Sequence, residues 1–329
     1  MAELIIEKVN EVYLKITSEP HVEYELRDRF TFEIENKKFM PQYRNRHWNG
    51  EIHLYNMKTK RIYCGLLDKV VAFAEGAGYN YKFLNNKFYG PPFEVNELIS
   101  KGGVKDYMES VAPGIKPRDY QIDGVYDALR YNRKLLISPT GSGKSFMIYS
   151  VVRYHVAKGR KILLVVPTTS LVEQMYKDFE SYGWDTQNHC HRIYAGRERV
   201  NTNEVTITTW QSIYELDRKF FEPYDVVIGD EAHLFKSKSL ISIMDKLHHA
   251  KYRYGFTGTL DGSQTHKWVL EGLFGPSYKV TQTKKLQDEG HLATLDIQCL
   301  VLKYKPKKFD TYEDEIQFLI GHEKRNKFI

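Results

Sequence analysis

One segment of the sequence has the residue types and the spacing that phosphate binding requires. Residues 138–145, Ser-Pro-Thr-Gly-Ser-Gly-Lys-Ser, lie between a predicted strand and a predicted helix. Glycines in such a loop let backbone N–H groups turn inward and surround phosphate oxygens at the helix N-terminus. Lys144 is expected to neutralise the β- and γ-phosphates, and the Ser145 hydroxyl to ligate Mg²⁺. The pattern therefore predicts a nucleotide site formed by Thr140, Gly141, Ser142, Gly143, Lys144 and Ser145.

The loop departs from the usual pattern at its first position, where Ser138 replaces glycine. The alternative interpretation is a Gly/Ser-rich turn that only caps a helix. Because the predicted strand, loop and helix agree with one another, phosphate binding is the interpretation we favour.

A second candidate is the acidic tetrapeptide Asp230-Glu231-Ala232-His233, which follows the apolar residues 226–228. The carboxyl end of a parallel strand faces the crevice in which such sheets bind ligands. Asp230 is expected to hold Mg²⁺, directly or through water, and Glu231 to polarise the water that attacks the γ-phosphate. Alone, the tetrapeptide is equally compatible with an acidic pair at a helix N-terminus. Together with the phosphate loop it predicts a nucleoside triphosphatase in which Lys144, Asp230 and Glu231 are catalytic.

Positive charge is concentrated in residues 37–61, which contain seven basic residues and one acidic residue. Basic and acidic residues cancel over residues 1–110 as a whole, with 16 of each. Positive charge interleaved with aromatic residues suits phosphate contacts and base stacking. The alternative is a solvated hairpin face whose aromatic residues fill a small core. The size of the domain favours the core for Trp48, and phosphate contact is expected for the arginines. The nucleic-acid-binding candidates are Lys37, Lys38, Arg44, Arg46 and Trp48.

The elements that must position these residues change in character near residues 113–117. Before this point, short alternating runs predict strands at residues 30–34, 51–55 and 79–84, with helices near residues 21–29 and 66–77. After it, strands alternate with helices, which indicates a parallel sheet covered by helices on both faces. A further strand is predicted at residues 294–303. We therefore predict a small α+β domain at residues 1–90, a linker at residues 91–116 and an α/β domain at residues 117–329.

Composition excludes several other classes of protein. The 329 residues are 42% hydrophobic and 27% charged, which excludes a disordered polymer. The apolar runs are too short to cross a membrane, and the N-terminus lacks the features of a signal peptide. The three cysteines lie far apart, so neither a disulfide scaffold nor a zinc knuckle is expected. The expected location of the protein is therefore a reducing cytosol. The net charge of +6 permits nucleic-acid binding without establishing it.

Several shorter segments, in their order along the chain, resemble the first motor domain of a superfamily 2 helicase. Residues 118–121 resemble the Q motif, residues 167–174 motif Ia, residues 208–212 motif Ib and residues 257–259 motif III. The resemblance implies a RecA-like sheet, ATP and Mg²⁺ as cofactors, and adenine recognition by Gln121. It also implies contacts of motifs Ia and Ib with a nucleic-acid backbone, and coupling of nucleotide state to strand contacts. The residues implied are Arg118, Tyr120, Gln121, Pro167, Thr168, Thr209, Trp210, His233, Thr257, Gly258 and Thr259.

The front part of the chain resembles the UvsW-type repair and recombination helicases of T4-like phages. The residues that carry this resemblance are Phe39, Met40, Pro41, Arg44 and residues 48–52. The resemblance implies an ATP-dependent DNA helicase or translocase that acts on branched or forked DNA in recombination, repair and replication. It implies a phage protein in the host cytoplasm, with no membrane partner. It does not identify any partner protein.

Three interpretations of the function are therefore considered. The first is the branched-DNA helicase, the second an RNA or RNA–DNA hybrid helicase active on RNA or R-loops, and the third a non-motor module switched by ATP. The family's second motor domain, with its arginine fingers, is absent from these 329 residues, so we expect this chain alone to be weakly active or inactive. Activity without that domain would assign the fingers' role to Arg197, Arg199 or another local arginine.

Overall fold

The computed structural model of the protein describes residues 2–34, 37–194, 203–260, 262–293 and 308–328. The chain separates into two compact units, one that ends at His291 and one that begins at Leu292. The predicted strand at residues 294–303 and the two arginines Arg197 and Arg199 lie outside the described residues. The predicted division into residues 1–90, 91–116 and 117–329 stays a prediction.

The front of the first unit contains a four-stranded sheet and a separate two-stranded hairpin. The sheet has the order β5-β2-β1-β6, in which β1 is antiparallel to β2 and parallel to β6, and β3 pairs with β4. The strands are β1 Glu3–Lys8, β2 Tyr13–Thr17, β3 Thr31–Glu33, β4 Glu51–His53, β5 Arg61–Tyr63 and β6 Asn80–Leu84. The helices are α1 Pro20–Arg29, α2 Pro41–Arg44 and α3 Leu67–Ala77, with 3₁₀ turns at Lys37–Phe39 and Cys64–Leu66.

The predicted α+β character of this region is confirmed, but β1 and β2 were not predicted. Both strands alternate buried and more exposed residues, with Leu4, Ile6, Leu14 and Ile16 in the core. This period of two is the signal that would have revealed them. Helix α3 ends at Gly78, whose φ of 73° is the left-handed conformation that glycine adopts without a Cβ penalty.

The predicted parallel sheet is confirmed, with seven strands in the order β13-β7-β12-β11-β8-β10-β9. All of its neighbouring strands are parallel, and its central strands β8, β10 and β11 are buried along their whole length. The strands are β7 Arg133–Ile137, β8 Ile162–Val166, β9 Cys190–Ile193, β10 Val205–Thr209, β11 Val226–Asp230, β12 Tyr252–Thr257 and β13 Ser277–Lys279. The carboxyl ends of parallel strands share one edge of the sheet, and the predicted site residues follow these ends.

Helices connect and cover these strands, and a 3₁₀ helix, Ala232–Lys236, follows β11. They are α4 Lys101–Val111, α5 Asp119–Tyr131, α6 Lys144–Val156, α7 Thr169–Ser181, α8 Thr186–His189, α9 Trp210–Ile213, α10 Arg218–Phe221, α11 Lys238–Lys246, α12 Gln264–Phe274 and α13 Thr283–Asp288. The second unit contains α14 Tyr312–Gly321 and α15 Glu323–Asn326. Within the described residues, no helix combines the length and apolar character needed to cross a membrane.

The front sheet packs closely on the parallel sheet within the first unit. A buried ion pair joins Glu11, which follows β1, to Arg133 at the start of β7, with Nη2 2.6 Å from Oε2. The same guanidinium donates to the backbone carbonyl of Glu11 at 2.7 Å. Burial raises the pKa of Glu11, but Arg133 and Lys8 outweigh this and hold the pKa below its usual value. The carboxylate is therefore ionised where the two sheets meet.

Candidate nucleotide site and nucleic-acid interface

The predicted phosphate loop connects the carboxyl end of β7 to the first turn of α6, as its sequence indicates. Gly141 and Gly143 both have a φ of 79°, a conformation that residues with a side chain rarely adopt. Ser142 Oγ donates to the carbonyl of Pro139 at 2.6 Å and lies 2.6 Å from the buried Ser138 Oγ. The serine that replaces glycine at position 138 thus uses its hydroxyl to hold the loop.

The predicted Q-motif residues contact the back of this loop. Gln121 Nε2 donates to the carbonyl of Ser142 at 2.8 Å, and its Oε1 accepts the backbone N–H of Arg118 at 2.9 Å. Tyr120 donates to the same carbonyl at 3.2 Å and accepts from Arg118 Nη1 at 2.7 Å. Both ends of the buried Gln121 amide thus have protein partners. Adenine recognition by this residue stays a prediction. These contacts make the loop geometry depend on the start of α5.

The predicted catalytic residues meet at the same sheet edge. Lys144 Nζ, on α6, donates to Glu231 Oε1, just after β11, at 2.7 Å. Glu231 has a φ of 48°, which is unusual for a residue with a side chain and turns the chain sharply after the strand. The arrangement brings the ammonium group predicted to bind phosphate and the carboxylate predicted to activate water to one point.

Asp230 has the surroundings expected of a cation ligand. Its carboxylate is buried, and Oδ1 has no hydrogen-bond partner among the described residues. Burial raises the pKa of Asp230, while the nearby Lys144 opposes that rise. A buried, unpaired carboxylate oxygen is costly unless it is paired or binds a cation. The residue therefore fits Mg²⁺, which Ser145 and Asp230 would hold and which would neutralise the charge of the β- and γ-phosphates.

The predicted coupling residues form a direct contact between two strand ends. His233 Nδ1 lies 3.0 Å from Thr257 Oγ1, and Thr257 Oγ1 donates to the carbonyl of Thr259 at 2.9 Å. His233 Nδ1 also lies 3.4 Å from Glu231 Oε2. A chain of polar contacts therefore runs from the carboxylate of Glu231 to the loop after β12.

The motif Ia and Ib candidates follow β8 and β10 on the same edge. Thr168 is exposed and caps α7, because its Oγ1 accepts the N–H of Leu171 at 3.3 Å. Thr209 is buried, with Oγ1 2.9 Å from Ser212 Oγ, and Trp210 begins α9 half-buried. Pro167 is half-buried between β8 and α7. Contact of these residues with a nucleic-acid backbone stays a prediction.

The basic candidates of the front region lie on one element, which we call the basic hairpin: strands β3 and β4 and residues 37–50 between them. An open cleft of about 700 Å³ is lined there by Lys38, Tyr43, Arg44, Arg46, His47, Trp48 and Asn49. Lys38, Arg44 and Arg46 are exposed. Lys37 is instead largely covered and pairs with Glu33 Oε2 at 3.0 Å, so part of its charge is neutralised inside the hairpin.

The core position favoured for Trp48 is wrong. Its side chain is half-exposed on the cleft, and its indole N–H donates to the carbonyl of Glu51 at 2.8 Å. Tyr55 is the aromatic residue of the stretch that is buried, and it donates to the carbonyl of Ile16 at 3.0 Å. Phe39, by contrast, is 78% exposed. The cleft thus has cationic groups with aromatic rings beside them.

Comparison with known families agrees with both parts of the chain. The family described as "DNA helicase UvsW, N-terminal" matches residues 7–84. The family described as "Type III restriction enzyme, res subunit" matches residues 114–262, which include the phosphate loop and the acidic tetrapeptide.

Individual relatives point in the same direction. The chain is 29% identical over 332 residues to the ATP-dependent DNA helicase uvsW of Enterobacteria phage T4, covering 96% of this chain and 65% of that protein. It is 28% identical over 213 residues to a DNA 3'-5' translocase, XPB2, of Sulfurisphaera tokodaii, covering 64% of this chain and 45% of that protein. A crystal structure of the UvsW helicase from bacteriophage T4 matches with a TM-score of 0.74 and 27% identity, covering 84% of this chain and 99% of that one.

The fold and the site together resemble a nucleoside-triphosphate-binding domain of the superfamily 2 helicases. The chain is similar to the UvsW helicase of phage T4 over both its front region and its parallel sheet. It spans about two thirds of the length of that phage relative.

Proposed function

We propose that the chain belongs to an ATP-dependent DNA helicase or translocase that acts on branched or forked DNA in recombination, repair and replication. The observation that carries the proposal is the meeting of Lys144, Asp230 and Glu231 at one sheet edge. His233 and Thr257 link this point to the next strand end. This arrangement supports ATP hydrolysis that is coupled, through His233 and Thr257, to the conformation of the loop after β12.

In the proposed reaction each residue has one role. The amides of Thr140 to Ser145 surround the phosphates and Lys144 neutralises their charge, while Ser145 and Asp230 would hold Mg²⁺, which would supply further positive charge there. Glu231 accepts a proton from the attacking water. Glu231 and Lys144 pair at 2.7 Å and are both partly exposed, so phosphate and water can approach them from the open side of the crevice.

DNA is the polymer that the relatives' names support, since one is a DNA helicase and another a DNA translocase. The basic hairpin supports contact with phosphates more than with base edges, because five of the seven residues that line its cleft are Lys, Arg, Tyr or Trp. A phage origin, and with it the host cytoplasm as the place of action, is proposed on the same relationship.

The ATPase rate of the full-length protein tests this function. It should be measured with single-stranded DNA, duplex DNA, forked DNA and RNA as separate stimulants. Strongest stimulation by forked DNA is the expected result, and stimulation by RNA alone would favour an RNA helicase. ATP binding without stimulation by any polymer would instead indicate a non-motor switch.

A further inference from the structure

Helix α12 lies between the parallel sheet and the basic hairpin. Its Trp268 contacts the two aromatic residues at the foot of the hairpin: ring centroids lie 5.3 Å from those of Phe30 and 5.0 Å from those of Phe32. Arg29 and Lys69 lie over the same indole at 5.1 and 5.3 Å. Trp268 is only 7% exposed, so the foot of the hairpin packs on a buried indole ring that α12 supplies.

The other end of α12 contacts the strands that carry the catalytic residues. Phe274 fills the space above Gly229 and Gly255, where a Cβ would lie 2.9 Å from its ring atoms. Its ring also packs edge-on against Phe235, at 5.0 Å, in the 3₁₀ helix that begins just after Glu231. Gly229 directly precedes Asp230, and Gly255 lies two residues before Thr257. A shift of these strand ends therefore displaces Phe274.

The helix is held between the front region and the parallel sheet too tightly to absorb such a shift locally. Glu271 pairs with Lys69 on α3 at 3.0 Å and also accepts the hydroxyl of Ser277 at 2.6 Å. A Cβ at Gly65 would lie 2.0 Å from the carbonyl oxygen of Glu271, so two backbones touch there. Closely packed interfaces of this kind transmit a displacement rather than damp it.

We propose that Trp268 is a positioning residue through which α12 sets the basic hairpin according to the state of the nucleotide site. A change at Asp230, Glu231 or Thr257 moves Phe274, α12 carries the movement to Trp268, and Trp268 reorients β3 and with it Arg44 and Arg46. The inference rests on the proposed function, because it needs both an ATP site and a DNA-binding hairpin. It adds a route between them that does not pass through motifs Ia and Ib.

The test compares DNA affinity with and without nucleotide. The full chain is titrated against a labelled forked DNA, alone and with saturating adenylyl imidodiphosphate and Mg²⁺, and the ratio of the two Kd values is the coupling factor. Factors of about 5–150 are typical of coupled sites, and the effect of DNA on nucleotide affinity must show the same factor. In Trp268→Ala the factor should fall toward one, while nucleotide affinity without DNA stays within about twofold of wild type.

Two further variants separate positioning from loss of folding. Trp268→Phe keeps a ring under Phe30 and Phe32 and should retain most of the coupling. Lys69→Gln removes the pair with Glu271 while leaving the core intact, and should lower the factor partially. As a control, Phe73→Ala truncates an aromatic residue of the same region, packed on Tyr79 at 6.1 Å, and should leave the factor unchanged.

The outcomes distinguish this inference from the function on which it rests. An unchanged factor in Trp268→Ala, or an equal loss in Phe73→Ala, overturns the inference while the helicase assignment stands. A coupling factor of one in the wild-type chain, together with DNA-stimulated ATP hydrolysis, also overturns the inference and leaves the helicase assignment standing. A wild-type chain that binds neither ATP nor DNA overturns the proposed function and this inference with it.

Discussion

Lys144 and Glu231 form an ion pair in which Nζ lies 2.7 Å from Oε1, joining the loop after β7 to the end of β11. The side chains are 14% and 32% exposed, so the pair is open on one side to the crevice. A phosphate that binds Lys144 must therefore share this ammonium group with Glu231 or displace it. The proposed proton acceptor and the proposed phosphate ligand thus respond to each other, and each of the next two substitutions tests one partner.

Lys144→Ala should nearly abolish nucleotide-dependent activity and leave the fold intact. The ammonium group makes charge-assisted contacts that the loop amides cannot replace. Removal of one such stabilising group from a transition state costs about 10²–10³ in rate. ATP affinity and turnover of the full-length protein, with circular dichroism as the folding control, measure the effect. Survival of both ATP affinity and turnover would show that the assignment of the loop is wrong.

Glu231→Gln should keep ATP binding and lose hydrolysis, because it removes the proton acceptor but not the phosphate cradle. It also removes the charge that competes with phosphate for Lys144, so ATP affinity should be equal to or higher than that of wild type. Equilibrium titration with a fluorescent ATP analogue and single-turnover hydrolysis separate the two effects. A large loss of affinity with unchanged hydrolysis would contradict this role.

The arrangement of the candidate nucleotide site was predictable because it depends on local sequence. A strand followed by a glycine-rich loop and a helix can be recognised within residues 133–156, and parallel strands bring their carboxyl ends to one edge. That rule places Lys144 and Glu231 at the same edge, and the structure adds that they pair. The function of Ser138 was not predictable, since its partner Ser142 Oγ is fixed only by the folded loop.

Contacts between distant parts of the chain escaped prediction for a physical reason. Trp268 and Phe32 are separated by more than 200 residues, and no local pattern signals that the two rings meet. Trp48 was assigned to the core because a small domain needs large side chains inside, although such a side chain is as well suited to a cleft wall. A periodic pattern gives the face of an element but not the partner that covers it.

Replacement of Arg44 and Arg46 by glutamine should weaken DNA binding equally for all sequences. Both side chains are exposed on the cleft of the basic hairpin, where phosphates are the expected partners. The slope of log affinity against log salt should become shallower by about 0.7–0.9 for each phosphate that the variant no longer neutralises. The matched control replaces Lys15 and Lys82, exposed lysines of the four-stranded sheet, and should keep the wild-type slope. An unchanged slope in the arginine variant would mean that this face is only solvated.

Trp48→Ala should lower DNA affinity by about 1–3 kcal/mol, the usual contribution of a base stacked on an aromatic ring. The thermal stability should change little, because the ring is half-exposed and makes one hydrogen bond, to the Glu51 carbonyl. Fluorescence anisotropy and differential scanning fluorimetry measure the two quantities. A decrease of about 3–5 kcal/mol in stability with unchanged DNA affinity would instead indicate a packing role.

The stability of the protein should fall as the pH is lowered from 6.5, because His155 is buried in its neutral form. Burial and the nearby Arg160 hold the pKa of His155 well below its usual value. Its Nδ1 lies 2.9 Å from Arg160 Nη1 and accepts from it, which leaves Nε2 to donate to Tyr254 Oη at 3.1 Å. In the unfolded chain the imidazole binds a proton that the folded chain excludes, so lower pH favours unfolding by up to about 1.4 kcal/mol per pH unit.

Urea unfolding between pH 8 and pH 5 measures the effect. The free energy of unfolding should depend less steeply on pH in His155→Asn, and the dependence that remains should come in part from His248, whose pKa burial also lowers. His47→Asn, at an exposed position of the basic hairpin, should keep the wild-type dependence, and the same result for His155→Asn would refute the assignment.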